Sequence, residues 1–178
     1  MRAVTISKQG SPVAPNIKVD GNWPEPQPQP GQVLVRTEAS AMNHLDLFVG
    51  VGLPGVDLEY PRIGGSDGAG IVESVGAGVD ESWVGKRVLL NAAMRPGEPF
   101  QPDARPAPIS AIEMIGEHVN GTHAEKFTAP VTNVLDVGDV DPVEAAAFGL
   151  THLTAWRMLA TRAGLQPGQW VLIPGIGG

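Results

Sequence analysis

Three polar residues lie together where a strand-like segment gives way to a helix-like one. They are Asn43, His44 and Asp46, in the stretch ASAMNHLDLFVGVG, and the apolar residues Leu47 and Phe48 follow them. A carboxamide, an imidazole and a carboxylate at such a junction suit three kinds of structure: a capped turn, a metal site, or the floor of a pocket. Other features of the sequence distinguish between these.

The residue types present restrict the chemistry. The sequence has no cysteine and four histidines, which excludes disulfides, thiol nucleophiles and thiolate metal ligands. His118 and His123 flank a turn, and a metal bound there would lack a third ligand. Ser66, in GSDGAG, has no His–Asp arrangement nearby and does not form the G-x-S-x-G elbow of hydrolases. The residues therefore favour neither a thiolate-bound metal nor a hydrolase.

Composition indicates a globular protein and argues against a nucleic-acid or membrane partner. The chain has 178 residues, 42% of them hydrophobic, and a net charge of -7. Because only 12 residues are basic, we expect no nucleic-acid partner and no membrane partner. No apolar run approaches the roughly 20 residues of a membrane span, and the start, MRAVTISKQG, lacks the apolar core of a signal peptide. A cytoplasmic location is predicted.

Short strands separated by glycine and proline are predicted for most of the chain. The candidates are MRAVTIS, QVLVRTEA, GIVESVG, GKRVLL and GTHAEKFTAP. In QVLVRTEA, Val33, Val35 and Thr37 alternate with Leu34, Arg36 and Glu38, a period of two that is typical of a half-buried strand. WPEPQPQPGQ is an extended connector, HLDLFVG a helical turn, and 91–108, with five prolines, a long surface loop.

The pattern becomes helical near the end. DPVEAAAFGLTHLTAWRMLATRAGL predicts a helix with Asp141 as its N-cap and Pro142 at its first position, broken in two at Gly149. An apolar strand is predicted at 170–173, directly before a glycine-rich turn. The residues thus indicate an all-β domain of about 125 residues followed by the opening of an α/β unit.

The last glycines form half of a dinucleotide-binding fingerprint. Gly175, Gly177 and Gly178 follow the apolar strand, and the full G-x-G-x-x-G pattern lets the main chain approach a pyrophosphate at a helix N-terminus. The third glycine, the helix and the acidic residue of the full pattern are not part of this sequence. By themselves these glycines are a weak signal, because glycine-rich turns after strands are common.

Taken in order, six segments resemble the medium-chain dehydrogenase/reductase superfamily, which includes zinc-type alcohol dehydrogenases and quinone reductases. They are PGQVLVRTEASAMNHLDLF, GSDGAGIVESVGAGV, VGKRVLL, GTHAEKFTAP, DPVEAAAFGLTHLTAWRML and PGQWVLIPGIGG. The resemblance implies a mainly β fold, with a GroES-like β-barrel over 1–127 and the first elements of a truncated Rossmann domain over 128–178. It also implies NAD or NADP in the cleft between the domains, a longer full-length protein, and a homodimer.

The chain departs from the zinc enzymes of that superfamily. Their zinc-ligand Cys is replaced by Asn43, and their His–Glu pair by Ser66 and Asp67. Their four-cysteine lobe corresponds to the cysteine-free 91–108 segment. The Asn-x-x-Asp-x-aromatic pattern of Asn43, Asp46 and Phe48 resembles zinc-free quinone reductases. The resemblance therefore implies no zinc.

The site implied by the resemblance combines several roles. Asn43 and Asp46 would be catalytic, Phe48 and Ser66 would line the substrate pocket, and the cofactor would be bound by Asn43, Thr154, Gly175, Gly177 and Gly178. Simpler interpretations stay open for some of these residues. Asn43 can be a plain helix cap, Asp46 can complete a local hydrogen-bond network, and Thr154 can bond its own helix backbone.

The implied activity is hydride transfer from a nicotinamide to a quinone or an α,β-unsaturated carbonyl. Without zinc, hydrogen-bond donors such as the Asn43 amide, or water, would polarise the carbonyl oxygen. Activated, conjugated acceptors suit such a site better than simple alcohols. Two alternatives remain: a catalytically inactive GroES-like structural or binding module, and a zinc-lacking alcohol dehydrogenase relative with other substrates.

Overall fold

The computed structural model describes residues 1–95 and 112–175, and its fold there is mainly β. The strands are β1 Ala3–Ile6, β2 Ile17–Asp20, β3 Gln32–Ala41, β4 Arg62–Ile63, β5 Asp67–Val75, β6 Arg87–Leu90, β7 Ala93–Met94, β8 Glu113–Met114, β9 Lys126–Pro130 and β10 Val134–Asp136. They form three antiparallel sheets in this part of the chain, with strand orders β10-β6-β5-β3-β9, β2-β1-β4 and β7-β8. All five predicted strand segments within the first 130 residues contain a strand.

The long strand β3 organises the main sheet and its core. It pairs with β5 on one side and with β9 on the other. Val33 and Val35 are fully buried in the core, as the alternating pattern predicts. Leu34 is buried as well, so this end of β3 is covered on both faces, and the half-buried pattern begins only at the exposed Arg36. The core that these strands enclose also includes Val72, Val88, Leu90 and Phe127.

Three α-helices lie in the described residues. They are α1 His44–Val51, α2 Pro142–Phe148 and α3 Leu150–Trp156, and a π-helical turn over Arg157–Arg162 continues α3. The Asp141 carboxylate caps α2 by accepting hydrogen bonds from the N–H groups of Val143 and Glu144 at 2.9 and 3.2 Å. Gly149 separates α2 from α3. The predicted cap, the proline at the first position and the break are all confirmed.

Helix α2 packs against the main sheet through its small residues. Ala145 and Ala146 are buried in a cluster with Ala69 of β5. The segment that follows does not pack in the same way: its apolar residues Leu153, Trp156 and Leu159 share one face by their spacing, and all three are exposed. No helix in the two described ranges has the length and apolar character that crossing a membrane requires.

Two predictions about secondary structure are wrong. The apolar segment 170–173 is not a strand, and Trp170 is 99% exposed there. A strand needs a neighbour to accept and donate main-chain hydrogen bonds, and no strand of the described residues lies beside this segment. The predicted loop over 91–108 contains a strand, β7, which pairs with β8; residues 96–111 lie outside the described residues.

Candidate functional site

The candidate site begins at the junction between β3 and α1. Asn43 has extended backbone angles, φ -127° and ψ 161°, and is the N-cap of α1 in a capping box with Asp46. The Asp46 carboxylate accepts a hydrogen bond from Asn43 N–H at 2.8 Å through Oδ2 and another from Gly65 N–H at 2.8 Å through Oδ1. Both oxygens of Asp46 therefore bind main-chain groups, which favours the local-network interpretation of this residue over direct catalysis.

The side-chain amide of Asn43 reaches a buried carboxylate. Its Nδ2 donates to Oδ2 of Asp67 at 2.8 Å, and the hydroxyl of Ser66 lies 3.5 Å from the same nitrogen. The other oxygen of Asp67 accepts a hydrogen bond from Leu150 N–H, the first residue of α3, at 2.5 Å. Asp67 is 2% exposed. One carboxylate thus joins three segments that are distant in the sequence.

Glycines make this approach of segments geometrically possible. A Cβ at Gly149 would lie 2.0 Å from Oδ1 of Asp67. Gly65 has a φ of +98°, and a Cβ there would lie 2.6 Å from the hydroxyl of Thr122. That hydroxyl donates to the Asp67 main-chain carbonyl at 2.6 Å. The absence of a side chain at Gly65 and Gly149 therefore allows Thr122 and Leu150 to lie next to Asp67.

Asn43 and Thr154, which the sequence places far apart, line one pocket. It is an open cavity of about 400 Å³ between the start of α1 and the start of α3. Its lining residues are Asn43, His44, Leu45, Leu150, Thr151 and Thr154. The pocket therefore contains two of the predicted cofactor-binding residues, together with an imidazole and a second threonine hydroxyl.

The two residues predicted to line the substrate pocket are not among those lining residues. Ser66 is 1% exposed and lies among the buried residues next to Asp67. Phe48 is 53% exposed on α1, with its ring centroid 6.3 Å from that of His44. Of the predicted phosphate-binding glycines, Gly175 is exposed, and a Cβ added to it would meet no atom within 4 Å. Gly177 and Gly178 lie outside the described residues.

A second, larger cavity lies beyond the other end of α1. It has a volume of about 560 Å³ and is formed by Lys8, Gln9, the loop 51–58 and Tyr60. The Tyr60 hydroxyl donates to the Val49 carbonyl at 2.5 Å, and burial raises the pKa of this phenol. The Arg62 guanidinium lies 5.6 Å from the centroid of the Tyr60 ring, and burial lowers the pKa of Arg62.

Asp67 is not among the site residues predicted from the sequence, where it counts only as the replacement for the Glu of the zinc enzymes. An acidic residue at the start of an otherwise apolar and glycine-rich strand is a usable signal, because carboxylates are rarely buried without partners. The partner at Leu150 could not be inferred, since it depends on where α3 begins in space.

The donor atoms at this site do not fit a zinc ion. Amide and hydroxyl groups are weak zinc ligands beside thiolate and imidazole, and both oxygens of Asp67 already accept hydrogen bonds. Leu150, which lines the same pocket, is apolar. In residues 1–95 and 112–175 there is no group of three or more His, Asp or Glu side chains with an arrangement suited to a metal.

Comparisons with known proteins identify the fold. Residues 29–139 match the family model of the alcohol dehydrogenase GroES-like domain. The predicted GroES-like fold is confirmed by this match. A crystal structure of an NAD-dependent alcohol dehydrogenase superposes with a TM-score of 0.79 at 34% identity, covering 94% of this chain and 49% of that one.

Two relatives show the range of proteins that are similar in sequence. The zinc-type alcohol dehydrogenase-like protein YogA of Leptosphaeria maculans is 32% identical over 164 residues, which are 86% of this chain and 44% of the relative. The quinone oxidoreductase of Lama guanicoe is 27% identical over 179 residues, which are 100% of this chain and 46% of the relative. The chain therefore spans somewhat less than half the length of these relatives.

Proposed function

This chain belongs to the family that carries the alcohol dehydrogenase GroES-like domain, within the medium-chain dehydrogenase/reductase superfamily, and on that basis we propose that the whole protein is an NAD(P)H-dependent oxidoreductase. Its substrates are quinones or α,β-unsaturated carbonyls, and it works without zinc. The observation that carries this proposal is the hydrogen-bonded set of Asn43, Ser66 and Asp67. By the family resemblance these positions correspond to metal ligands of the zinc enzymes, and here they carry polar groups that are hydrogen-bonded to one another.

Zinc independence is supported by the chemistry of these groups. Asn43 stands where the family resemblance places the Cys ligand of the zinc enzymes. The sequence contains no cysteine, so no thiolate from it can take the place of that ligand. Asp67 is bound on both oxygens, and a metal would have to break at least one of those bonds. The alignment with the quinone oxidoreductase of Lama guanicoe, over 100% of this chain, agrees with the proposed substrate class.

The pocket at the start of α1 and α3 is the proposed place of the nicotinamide. Asn43 and Thr154 would hold its polar groups from two sides, since both line this cavity. When bound, NADH or NADPH supplies the hydride. Leu45 and Leu150, the apolar lining residues, would exclude water from one side of the ring.

Several groups in the pocket can donate a hydrogen bond to the carbonyl oxygen of a substrate. They are the hydroxyls of Thr151 and Thr154 and the imidazole N–H of His44. Such donors stabilise the charge that develops on the oxygen as hydride arrives. A conjugated acceptor spreads that charge over more atoms. Its reduction therefore needs weaker stabilisation of negative charge than a reaction in which the charge is localised on an alkoxide oxygen.

The proposal is tested with the whole protein and a substrate panel. Consumption of NADPH and NADH is measured with quinones and enones, with NAD and ethanol as the contrast, and zinc is measured by elemental analysis of protein purified without a His tag. We expect turnover with the conjugated carbonyls and far less than one zinc per chain. Fast, zinc-dependent ethanol oxidation would refute the proposal.

A pair of variants tests the position of the site. We expect Asn43→Ala to lower kcat/KM by roughly ten- to a hundred-fold, as for loss of one well-placed polar group. Asn22→Ala, at an exposed position, is the matched control and should behave as the parent. An Asn43→Ala variant as active as the parent would show that the reaction does not take place in this pocket.

A second candidate is oxidation or reduction of simple alcohols and aldehydes. It is favoured by the solved NAD-dependent alcohol dehydrogenase that is 34% identical to this chain. Zinc-independent turnover of ethanol or another simple alcohol in the same panel, faster than that of any enone, would select this candidate.

A further inference from the structure

Asp67 has contacts that the proposed reaction does not itself require. We propose that Asp67 is a positioning residue that sets the orientation of the Asn43 side-chain amide, so that Asn43 offers its carbonyl oxygen, and not its NH₂ group, to a ligand in the pocket. The ligand group that Asn43 binds is then a hydrogen-bond donor. The identification of that ligand as a nicotinamide nucleotide rests on the proposed function.

The orientation of the amide follows from the nature of its partner. The side-chain nitrogen of Asn43 donates to Oδ2 of Asp67 at 2.8 Å, and a carboxylate oxygen is the acceptor that matches an NH₂ group. Ser66, whose hydroxyl lies 3.5 Å from that nitrogen, is 1% exposed, and Asp67 is 2% exposed. Both neighbours of the NH₂ group are therefore buried, and the NH₂ group faces the interior.

The carbonyl oxygen is the part of the amide that remains for the pocket. An amide oxygen has two lone pairs, and the capping box at the start of α1 uses at most one of them. Asn43 lines the open cavity beside Thr154. A hydroxyl or a carboxamide N–H of the ligand matches an acceptor at this place, and a nicotinamide nucleotide has both kinds of group. A ligand carbonyl does not match it.

The same carboxylate also positions the other side of the pocket. Its Oδ1 accepts from Leu150 N–H at 2.5 Å, and Thr154 lies about one helical turn after Leu150. Gly149 has no side chain that would displace this oxygen, since a Cβ there would lie 2.0 Å from it. Asp67 therefore fixes the position of both Asn43 and the start of the helix that carries Thr154, the two residues proposed to hold the nicotinamide.

Asp67→Asn is the decisive substitution, because it preserves size and can preserve the bond to Leu150. The new amide has one oxygen, which Leu150 N–H requires, so its NH₂ group would face Asn43. Two NH₂ groups cannot hydrogen-bond to each other, and the Asn43 amide is expected to turn over and present its NH₂ group to the pocket. We expect the affinity for NADPH and NADH, measured by calorimetry on the whole protein, to fall roughly ten-fold or more.

An exchange of the two residues restores the proposed arrangement. In the double variant Asn43→Asp with Asp67→Asn, the amide is at 67 and the carboxylate at 43, so position 43 again offers only an acceptor to the pocket. We expect this variant to recover cofactor affinity to within a few-fold of the parent. Asp139→Asn, at an exposed position, is the matched control and should leave the affinity unchanged.

A spectroscopic measurement tests the orientation without any cofactor. The side-chain NH₂ resonances of Asn43, assigned by their loss in Asn43→Ala, should show slow hydrogen exchange in the parent and fast exchange in Asp67→Asn. Unchanged exchange together with unchanged cofactor affinity in a folded Asp67→Asn protein would overturn the proposal. So would a double variant no better than the single one.

The two proposals fail in different ways. If no quinone or enone is reduced but the Asn43 resonances respond to Asp67→Asn as described, the proposed function is wrong and the positioning of Asn43 stands. If the substrates are turned over and the resonances and affinity do not respond, the positioning is wrong and the proposed function stands.

Discussion

The Asp46 carboxylate and the main-chain N–H of Gly65 are joined by a hydrogen bond of 2.8 Å that spans 19 positions of the chain. The second oxygen of the same carboxylate binds the N–H of Asn43 at 2.8 Å. Gly65 is buried and Asn43 is half-buried. If Asp46 is lost, water therefore cannot fully replace the hydrogen bonds of these two N–H groups. This one side chain connects the start of α1 to the segment that leads into β5.

Asp46→Asn separates the structural role of this residue from a catalytic one. The amide can accept from one of the two N–H groups but presents its own NH₂ group to the other. We expect a loss of about 1–3 kcal/mol in the free energy of unfolding, measured by urea denaturation, with the shape of the pH–rate profile unchanged. A profile that loses one limb while stability stays the same would instead make Asp46 an acid or base in the reaction.

Gly149→Ala tests the packing between the α2–α3 junction and Asp67. The added methyl group would lie 2.0 Å from Oδ1 of Asp67, so either the carboxylate or the start of α3 has to move. We expect a destabilisation of about 1–3 kcal/mol and weaker cofactor binding. Gly21→Ala is the control, since a Cβ there meets nothing within 4 Å; equal stability of the two variants would contradict the described contact.

Asp141→Ala removes the cap of α2. Its carboxylate accepts from the N–H groups of Val143 and Glu144, and these donors would then have only water as a partner. The expected loss is about 1 kcal/mol in the free energy of unfolding, within the range measured for such caps. Asp139→Ala, two positions earlier and exposed, should change stability much less, and an equal loss in both variants would argue against capping.

The Glu125 carboxylate predicts a pH-dependent contribution to stability. Its pKa is lowered from an ordinary value of 4.5, first by the hydrogen bond from Arg2 N–H and then by the Arg2 side chain. Because the folded pKa lies below the unfolded one, the contribution is present above 4.5 and is lost as the pH falls through the folded value. Glu125→Gln should therefore lower Tm at neutral pH, and its difference from the parent should shrink below 4.5.

Thermal unfolding of both proteins across the acid range provides the measurement. Glu81→Gln, another exposed carboxylate to amide change, controls for the general effect of removing one negative charge. A difference between Glu125→Gln and the parent that grows as the pH falls would have the wrong sign.

Much of the fold could be predicted because local patterns and tertiary structure agree. The alternation in β3, the Asp141 cap and the break at Gly149 all depend on residues close together in the sequence. The strand predicted at 170–173 failed because strand formation depends on a neighbour, and periodicity says nothing about whether one is present. The strand β7 was missed for the opposite reason: two residues are too short to produce a pattern, and β8 stabilises them from a distance.

The candidate site could be predicted only in part. Asn43 and Thr154 were expected to act together, and they line one pocket. Asp67 was not expected to join them, since its contact with Leu150 spans 83 positions. A homodimer and a cytoplasmic location stay predictions from the family resemblance and from composition.

The pairing of β3 with β9 has a consequence for how the protein is made. Val33 pairs with Ala129, so this long strand of the sheet acquires one of its two neighbours only after roughly a hundred further residues have been synthesised. Non-local pairing of this kind slows folding. Until then one edge of β3 presents unpaired main-chain groups beside Val33 and Val35, which other chains can bind. We therefore expect a chain that ends before β9 to leave this edge of β3 unpaired and to associate with other chains more readily than the chain that includes β9.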